Sequence, residues 1–166
     1  KENGWTAVSI RAVASRCSVS AGTIYNYYES KSDLLGDTIE SIWREIFFNP
    51  EDEQVFNDVA ACISWIYKRL EYGNEQFPGF FSLHSLGFMK DEKTDGKNKM
   101  LQTWGHILNG LCDILKNDPK IRPDVFDEQF TEKQFADILF SLILVSMIRQ
   151  DYNPSSILML INKTLY

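Results

Sequence analysis

The sequence predicts an all-α protein, and three observations lead to that fold class. Apolar residues recur at helical spacing through most of the 166-residue chain. Clusters of proline, glycine and asparagine divide the chain into segments of helix length. No segment alternates apolar and polar residues in the way that a half-buried strand does. Because 44% of the residues are apolar, the chain can build a core from these packed helices.

Residues 9–35 predict a helix-turn-helix, a motif that lays its second helix in the major groove of DNA. Ile10, Val13 and Ala14 lie at i, i+3 and i+4, so the first short helix has one apolar face. The small side chain of Ala14 lets a second helix cross close by. A turn follows, and Ser20 is a favourable N-cap for the second helix.

The second helix is expected to bury Ile24 and Tyr28 and to present its other residues to a partner. Gly22 lowers helix propensity by about 1 kcal/mol relative to alanine. We therefore expect a backbone, either of the protein or of DNA, to approach closely at Gly22.

Six further helices are predicted from apolar periodicity and from start and stop signals. Gly73-Asn74 is expected to end the second of them, and the polar run Asp91–Lys99 is expected to form a loop. Thr131 with Gln134 predicts a capping box at the start of the fifth. The expected ranges are Ser30 to about Phe48, 53–72, Pro78 to about Lys90, 98–117, Thr131 to about Gln150, and a terminal helix after Asn153-Pro154.

The motif residues in the first 35 positions resemble the TetR family of bacterial one-component regulators. The matching positions are Val13-Ala14, Ser18-Val19-Ser20, Gly22-Thr23-Ile24-Tyr25, Tyr27-Tyr28, Ser30-Lys31 and Leu34-Leu35. Two positions depart from the family pattern. Ser18 stands where the family has its turn glycine, so it must accept a left-handed or strained backbone, and Ala21 replaces a larger polar or basic residue.

The resemblance implies a DNA-binding surface on the second helix and its flanks. By resemblance, Tyr25, Tyr27 and Lys31 contact phosphates. Thr23, Asn26 and the entry residues Ser20, Ala21 and Gly22 approach base edges or the adjacent backbone, and Ser9 completes the expected surface.

The resemblance and the charge distribution together predict two domains. Residues 1–31 carry a net charge of +2, whereas the whole chain carries −6, so the acidity lies in the remainder. We expect a helix-turn-helix DNA-binding domain with its connecting helix at 1–48 and a larger ligand-binding and dimerisation domain at 49–166. In the family a preceding helix completes the DNA-binding domain, and we expect one before Lys1.

The last two predicted helices indicate a homodimer. The segment from Phe135 to Ile148 is apolar almost all round, but it is shorter than the ~20 residues that span a bilayer, and Asp137 interrupts it. Such a helix must be covered on every side, either within the chain or by a second copy. The family has a two-helix dimer surface here, and the residues expected in it are Leu144, Ile148, Ile157 and Ile161.

Aromatic residues are dense between the two ends of the chain, and the family has a ligand pocket among these helices. Each of them could instead belong to the core. The residues expected to line a pocket for a small lipophilic or aromatic effector are Trp65, Phe80, Phe81, His84, Phe88, Trp104, Ile107 and Leu108.

The sequence offers no pattern typical of an enzyme or of a cofactor site. The three cysteines lack the spacing of a zinc site, and neither a phosphate-binding loop nor a nucleophile motif is present. We therefore expect a cytoplasmic, non-enzymatic protein with no metal, cofactor or membrane partner. The expected function is a ligand-released repressor that binds a palindromic operator as a dimer. The alternative is an all-α interaction module that does not bind DNA.

Overall fold

The structure, a computed structural model, describes residues 9–47, 56, 58–81 and 94–166, with side chains of the last range from Trp104 onward. Within these ranges it contains helices and no strand, which confirms the all-α fold class. The helices are α1 (Ile10–Arg16), α2 (Ala21–Tyr25), α3 (Lys31–Phe47), α4 (Val59–Gln76), α5 (Thr94–Asn117), α6 (Glu132–Arg149) and α7 (Ser155–Thr164). The chain forms two compact units, an N-terminal unit of Lys1–Glu45 and a C-terminal unit of Ile46–Tyr166.

The turn between α1 and α2 is closed by local hydrogen bonds. The N–H of Val19 donates to the carbonyl of Ala14 at 3.0 Å, and the N–H of Ser18 donates to Ser15 at 3.2 Å. This pair of bonds is a Schellman motif, which requires a left-handed residue after the helix. Ser18 supplies it with φ 56°, as expected for the position of the family's turn glycine.

Helix α3 begins as the sequence predicts. The Ser30 hydroxyl accepts the N–H of Asp33 at 3.2 Å and donates to the Asp33 carboxylate at 2.9 Å. The helix ends at Phe47, and Phe48, the last residue of the predicted range, lies outside the described residues. Its last two residues, Ile46 and Phe47, belong to the C-terminal unit.

The predicted stop of α4 at Gly73 is wrong, because the helix continues to Gln76. Gly73 is buried and receives the end of α3. A Cβ atom at this position would lie 2.7 Å from Cδ1 of Ile46 and 2.9 Å from Cζ of Phe81. The glycine therefore permits close packing of Ile46 rather than ending the helix. Arg69 adds a hydrogen bond from its Nε to the carbonyl of Ile46.

The predicted loop before α5 is also partly wrong. The helix starts at Thr94, so residues 94–99 are helical, and Asp91–Lys93 lie outside the described residues. Polar composition alone predicts a loop, but polar residues are equally compatible with a helix.

Helices α6 and α7 complete the C-terminal unit, with α6 packed on α5 and α7 packed on α4. The capping box at Thr131 and Gln134 is confirmed. The inner side of α6 supplies much of the core through Phe135, Ala136, Leu139, Phe140, Ile143 and Met147. The Tyr67 hydroxyl ties α4 to α6 through a 2.8 Å hydrogen bond with Ser146.

A buried carboxylate, Asp118, connects three segments at one end of the C-terminal unit. It accepts the N–H of Val59 at 2.9 Å, the N–H of Lys120 at 2.9 Å and the hydroxyl of Tyr166 at 2.5 Å. Burial and the hydrogen bond to Asp118 raise the pKa of the Tyr166 phenol. The N-terminus of α4, the end of α5 and Tyr166, two residues beyond α7, are thereby held together.

Candidate DNA-binding site and the expected partner sites

The Ser20 hydroxyl caps the start of helix α2, as the sequence predicts. Ser20 accepts the N–H of Thr23 at 3.1 Å, and the two hydroxyl groups are 2.9 Å apart. Either hydroxyl can donate to the other, and in both arrangements the Ser20 oxygen still accepts the N–H of Thr23. Both side chains are consequently held in place for an external partner.

The residues at the end of α2 present a polar and aromatic surface to solvent. Tyr25 is 55% exposed and Tyr27 is 80% exposed, and Asn26 between them is exposed as well. Large aromatic side chains are unusual at such exposure in a monomer unless a partner covers them. Ile24 and Tyr28, which were expected to be buried, are half-buried, because α2 ends at Tyr25 and Tyr28 follows it in a turn.

The remaining predicted contacts lie at helix starts. Ser9 is the N-cap of α1 and accepts the N–H of Ala12 at 3.1 Å. Ala21 is the first residue of α2 and Lys31 the first of α3, and both are half-buried.

Gly22 is exposed and has space around it within its own chain. A Cβ atom there would meet only the Ser20 hydroxyl, at an ordinary contact distance of 3.6 Å. Its backbone is not in the left-handed region. Among the described residues no backbone approaches Gly22, so of the two explanations for this glycine the close approach of DNA is the one that we retain.

Two arginines of α1 were not assigned to the candidate surface from the sequence. Arg11 and Arg16 are both exposed, and neither has an ion-pair partner among the described residues. Unpaired cations are the groups that neutralise DNA phosphates. The signal in the sequence that points to these two arginines is the positive charge of residues 1–31.

The residues expected in the effector pocket have different partners in the structure. Phe80 and Phe81 are adjacent core residues with ring centroids 5.6 Å apart, whereas Trp65 packs edge-on against Phe47 at 5.7 Å. Trp104 packs against Phe140 at 5.7 Å. His84 and Phe88 lie outside the described residues.

The last two expected pocket residues lie on α5. Ile107 is 41% exposed. Leu108 lines an open cavity of about 360 Å³ between α5 and the start of α6, together with Asn109, Cys112, Thr131, Lys133, Gln134 and Asp137. Five of these seven residues are polar or charged, unlike the residues of the apolar pocket expected from the sequence.

The residues expected in the dimer interface divide into two groups. Ile148 is 60% exposed and Leu144 is half-buried, whereas Ile157 and Ile161 are 4% and 0% exposed within their own chain. Because α7 turns those two isoleucines toward α4, they are filled positions of the core and unavailable to a second copy. The apolar residues that α7 leaves exposed are Met159 and Leu160.

A continuous apolar surface nevertheless remains on α6. We define the apolar stripe as Ile138, Leu142, Val145 and Ile148, whose spacing of four, three and three residues places them on one side of the helix. They are 43%, 37%, 46% and 60% exposed.

The described residues contain no group of acidic, histidine or cysteine side chains that could hold a metal ion. Among the cysteines, burial raises the pKa of the Cys62 thiol to about 12, so this thiol is unreactive at neutral pH. In the same part of the chain, no helix has both the length and the apolar character required to cross a bilayer.

Comparison with known proteins agrees with the geometry of the N-terminal unit. The family model described as "Bacterial regulatory proteins, tetR family" matches residues 1–38, which include α1, the turn and α2. No match was found among curated proteins or among solved structures. The match covers the whole candidate DNA-binding surface. Residues 1–38 are therefore similar to the N-terminal DNA-binding domain of the tetR family of bacterial regulatory proteins.

Proposed function

We propose that this protein is a repressor that binds a palindromic operator as a homodimer and is released by a small lipophilic or aromatic effector. The exposed surface at the end of α2 is the observation that carries the proposal. An 80% exposed tyrosine, an exposed asparagine and a 55% exposed tyrosine are consecutive there. Two exposed arginines lie on the preceding helix. This is the combination of cations, hydroxyl groups and an amide that phosphate contacts and base contacts require.

Within this surface the residues have different roles. Tyr25, Tyr27 and Lys31 donate to phosphates, as do Arg11 and Arg16. Asn26 is the residue best suited to read a base, because its amide can form two hydrogen bonds with adenine. Gly22 lets the DNA backbone approach α2 where a methyl group would intervene.

The test of these roles begins with genomic fragments recovered by the full-length protein, which supply the operator. Affinity for that operator is then measured by fluorescence anisotropy at several salt concentrations. We expect Tyr27→Phe to weaken binding to specific and unrelated DNA alike. Asn26→Ala should reduce discrimination between the operator and a site with the contacted adenine changed, by about 1–3 kcal/mol. Tyr72→Phe, which removes a hydroxyl from the C-terminal unit, is the control.

The role of Gly22 can be isolated with a matched pair of glycines. Gly36, on α3 in the same unit, is also exposed, and its Cβ position has nothing within 4 Å. Both Gly22→Ala and Gly36→Ala should stabilise their helices, each by up to about 1 kcal/mol. Only Gly22→Ala should lose operator affinity. Equal affinities of the two variants would remove Gly22 from the DNA surface.

A second copy of the chain is the partner proposed for the apolar stripe. Four exposed apolar residues on one side of α6, with Met159 and Leu160 on α7, form a surface of the kind that monomeric proteins rarely leave uncovered. Two-fold pairing would also present two α2 helices to a palindrome, whose half-sites lie roughly 34–36 Å apart.

The oligomeric state tests this interface. Ile148→Arg places a charge in the apolar stripe and should weaken dimerisation by about 3 kcal/mol or more, roughly 100-fold. Sedimentation velocity should then show a monomer that no longer binds the operator. Ile107→Arg makes the same change at an exposed isoleucine on α5 and should leave the dimer intact. A dimeric Ile148→Arg protein would contradict the assignment.

Release by an effector has a thermodynamic test. Once a compound is found, for example from the products of genes next to the operator, it is titrated with and without operator DNA. Because coupling is reciprocal, the operator must weaken effector binding by the factor, typically 5–150-fold, by which the effector weakens operator binding. Equal effector affinities in the two titrations would leave a DNA-binding dimer regulated by other means.

A protein that dimerises but recovers no DNA would instead be an all-α interaction module. The net charge of −6 is the observation in favour of that alternative, since most nucleic-acid-binding proteins are basic. The positive charge of residues 1–31 argues for DNA binding.

A further inference from the structure

The apolar stripe of α6 has a charged residue of opposite sign at each end. Asp137 immediately precedes Ile138, and Arg149 immediately follows Ile148. Both charged side chains are exposed, and neither forms an ion pair with a residue that the structure describes. Asp137 lies eleven residues, or about three helical turns, before Ile148, and Arg149 lies four residues after Val145. These spacings place both charges on the side of α6 that carries the stripe.

A helix that pairs with its own copy about a two-fold axis is either parallel or antiparallel to that copy. In a parallel pair each residue meets its own counterpart, so Asp137 would face Asp137 of the partner subunit. In an antiparallel pair the two ends exchange, and Asp137 faces Arg149 of the partner subunit. Like charges facing each other are unfavourable, whereas opposite charges attract. The charges of α6 therefore favour an antiparallel pair.

The order of residues along α6 fits one register of such a pair. When the two-fold axis passes at the level of Ile143, residues equally distant from 143 in the sequence lie opposite each other. Ile138 then lies opposite Ile148, since each is five positions from the axis. Asp137 lies opposite Arg149, since each is six positions from it. The same register thus aligns the apolar ends of the stripe and the two charges.

The central turns of α6 fit this register as well. Ser141 is exposed and lies opposite Val145, so a small side chain leaves space for a larger one. Leu142 lies opposite Leu144, the half-buried residue that the sequence predicts in the interface. Apolar side chains therefore meet in the middle of the pair as well as at its ends.

We propose that two copies of this chain pair through antiparallel α6 helices, with an ion pair between Asp137 and Arg149 at both ends of the apolar stripe. The inference rests on the homodimer of the proposed function and adds the orientation and register of its interface. The stripe supplies most of the affinity, because exposed ion pairs contribute little. The charges supply specificity, because parallel pairing would bring like charges together.

Charge reversal in the full-length protein tests the ion pairs. The dissociation constant of the dimer is measured by sedimentation equilibrium at low salt. Asp137→Arg and Arg149→Asp should each raise it roughly 3-fold to 30-fold, because each brings like charges together at both ends of the stripe. The double variant exchanges the charges and should return the constant to within about 3-fold of wild type. Asp113→Arg, at an exposed carboxylate on α5, is the control and should leave the constant unchanged.

Disulfide cross-linking tests the orientation. The exposed Cys17 and the half-buried Cys112 are first replaced by serine. Ile138→Cys and Ile148→Cys proteins are then oxidised separately and as a co-expressed mixture. In the antiparallel pair the two copies of residue 138 lie about 15 Å apart along the helix axis, beyond the reach of a disulfide, whereas 138 lies opposite 148. We expect a cross-linked dimer from the mixture and from neither variant alone.

Three results would overturn the inference. They are a cross-linked dimer from either cysteine variant alone, no cross-linked dimer from the mixture, and a double charge variant that is weakened as much as the two single variants combined. The homodimer itself is assessed separately by Ile148→Arg. A monomeric Ile148→Arg protein together with an uncross-linked mixture would keep the stripe as the interface and reject the register. A dimeric Ile148→Arg protein would reject both.

Discussion

The two units of this protein differ in how far apart in the sequence their interacting residues lie. In the N-terminal unit the side-chain hydrogen bonds that start α1, α2 and α3 each join residues three apart. The fully buried apolar residues described there are Ile10 and Ala14. In the C-terminal unit, hydrogen bonds join Val59 to Asp118 and Tyr67 to Ser146, and a core of large apolar side chains lies between α4, α6 and α7.

The difference indicates how each unit responds to change. In the N-terminal unit, local caps and turns leave many side chains exposed and available to DNA. The stability of this unit therefore depends on a few local backbone conformations. A unit shaped by long-range packing should be sensitive to the size of its buried side chains and tolerant at its surface. Four substitutions test this contrast.

The largest expected effect is at the core face of α6. Leu139→Ala removes a side chain that is 0% exposed and should destabilise the C-terminal unit by about 2–5 kcal/mol. Leu142→Ala, three residues later, shortens a side chain that is 37% exposed. The melting temperatures of both variants are measured at several protein concentrations. Leu139→Ala should lower the melting temperature at every concentration. Leu142→Ala should lower it only where the protein is a dimer, because Leu142 lies in the apolar stripe. Equal losses at low concentration would show that the two sides of α6 are not distinct.

A smaller loss is expected where α3 meets α4. Gly73→Ala places a methyl group less than 3 Å from carbon atoms of Ile46 and Phe81 and should destabilise the unit by about 1–3 kcal/mol through overpacking. The same substitution at Gly110, whose Cβ position has nothing within 4 Å, is the control and should be neutral or stabilising. Denaturant unfolding measures both. A stabilised Gly73→Ala variant would mean that Ile46 is not seated against α4.

The third effect is a gain in stability, in the N-terminal unit. Ser18→Gly relieves a left-handed backbone with φ 56° and should stabilise the turn by about 1 kcal/mol. Amide hydrogen exchange should then slow about fivefold in α1. Ser15→Gly, on the helical residue three positions earlier, should have the opposite effect. Unchanged exchange in Ser18→Gly would imply that the turn does not limit the stability of this unit.

The smallest effect depends on pH. Burial raises the pKa of Asp58, but its hydrogen bonds to Lys120 and to the N–H of Ala61 outweigh burial, so the pKa is lowered from 3.8. Stability from this carboxylate is therefore present near neutral pH and lost as the pH falls below about 4. Asp58→Asn keeps the helix cap and removes the charge. Its melting temperature should lie slightly below wild type at pH 7, and the difference should shrink as the pH falls through the lowered pKa of Asp58. A pH-independent difference would exclude the ion pair.

Local signals made the N-terminal unit predictable. The caps at Ser20 and Ser30 need only residues three positions away, as does the cap at Thr131 in the C-terminal unit. The left-handed turn at Ser18 follows from its place in the motif. Six of the nine predicted DNA contacts are exposed, and they lie in or beside short helices that begin with local hydrogen bonds. Arg11 and Arg16 could have been added from their charge.

Packing in the C-terminal unit could not be predicted in the same way. Periodicity shows that α7 has an apolar side, but it does not show whether that side packs on α4 or on another chain, and so Ile157 and Ile161 were assigned to an interface. Glycine in a sequence equally suggests a helix end or a close contact, and only the position of Ile46 identifies Gly73 as a contact.

The left-handed residue that follows α6, Gln150 with φ 54°, has a practical consequence. Its position outside the apolar stripe and outside α2 means that Gln150→Gly should add stability without altering either proposed binding surface. Substitutions that change which compound a regulator detects usually reduce stability. In a Gln150→Gly background such variants would tolerate a larger loss of stability before unfolding. This helix end is therefore a starting point for converting the protein into a biosensor.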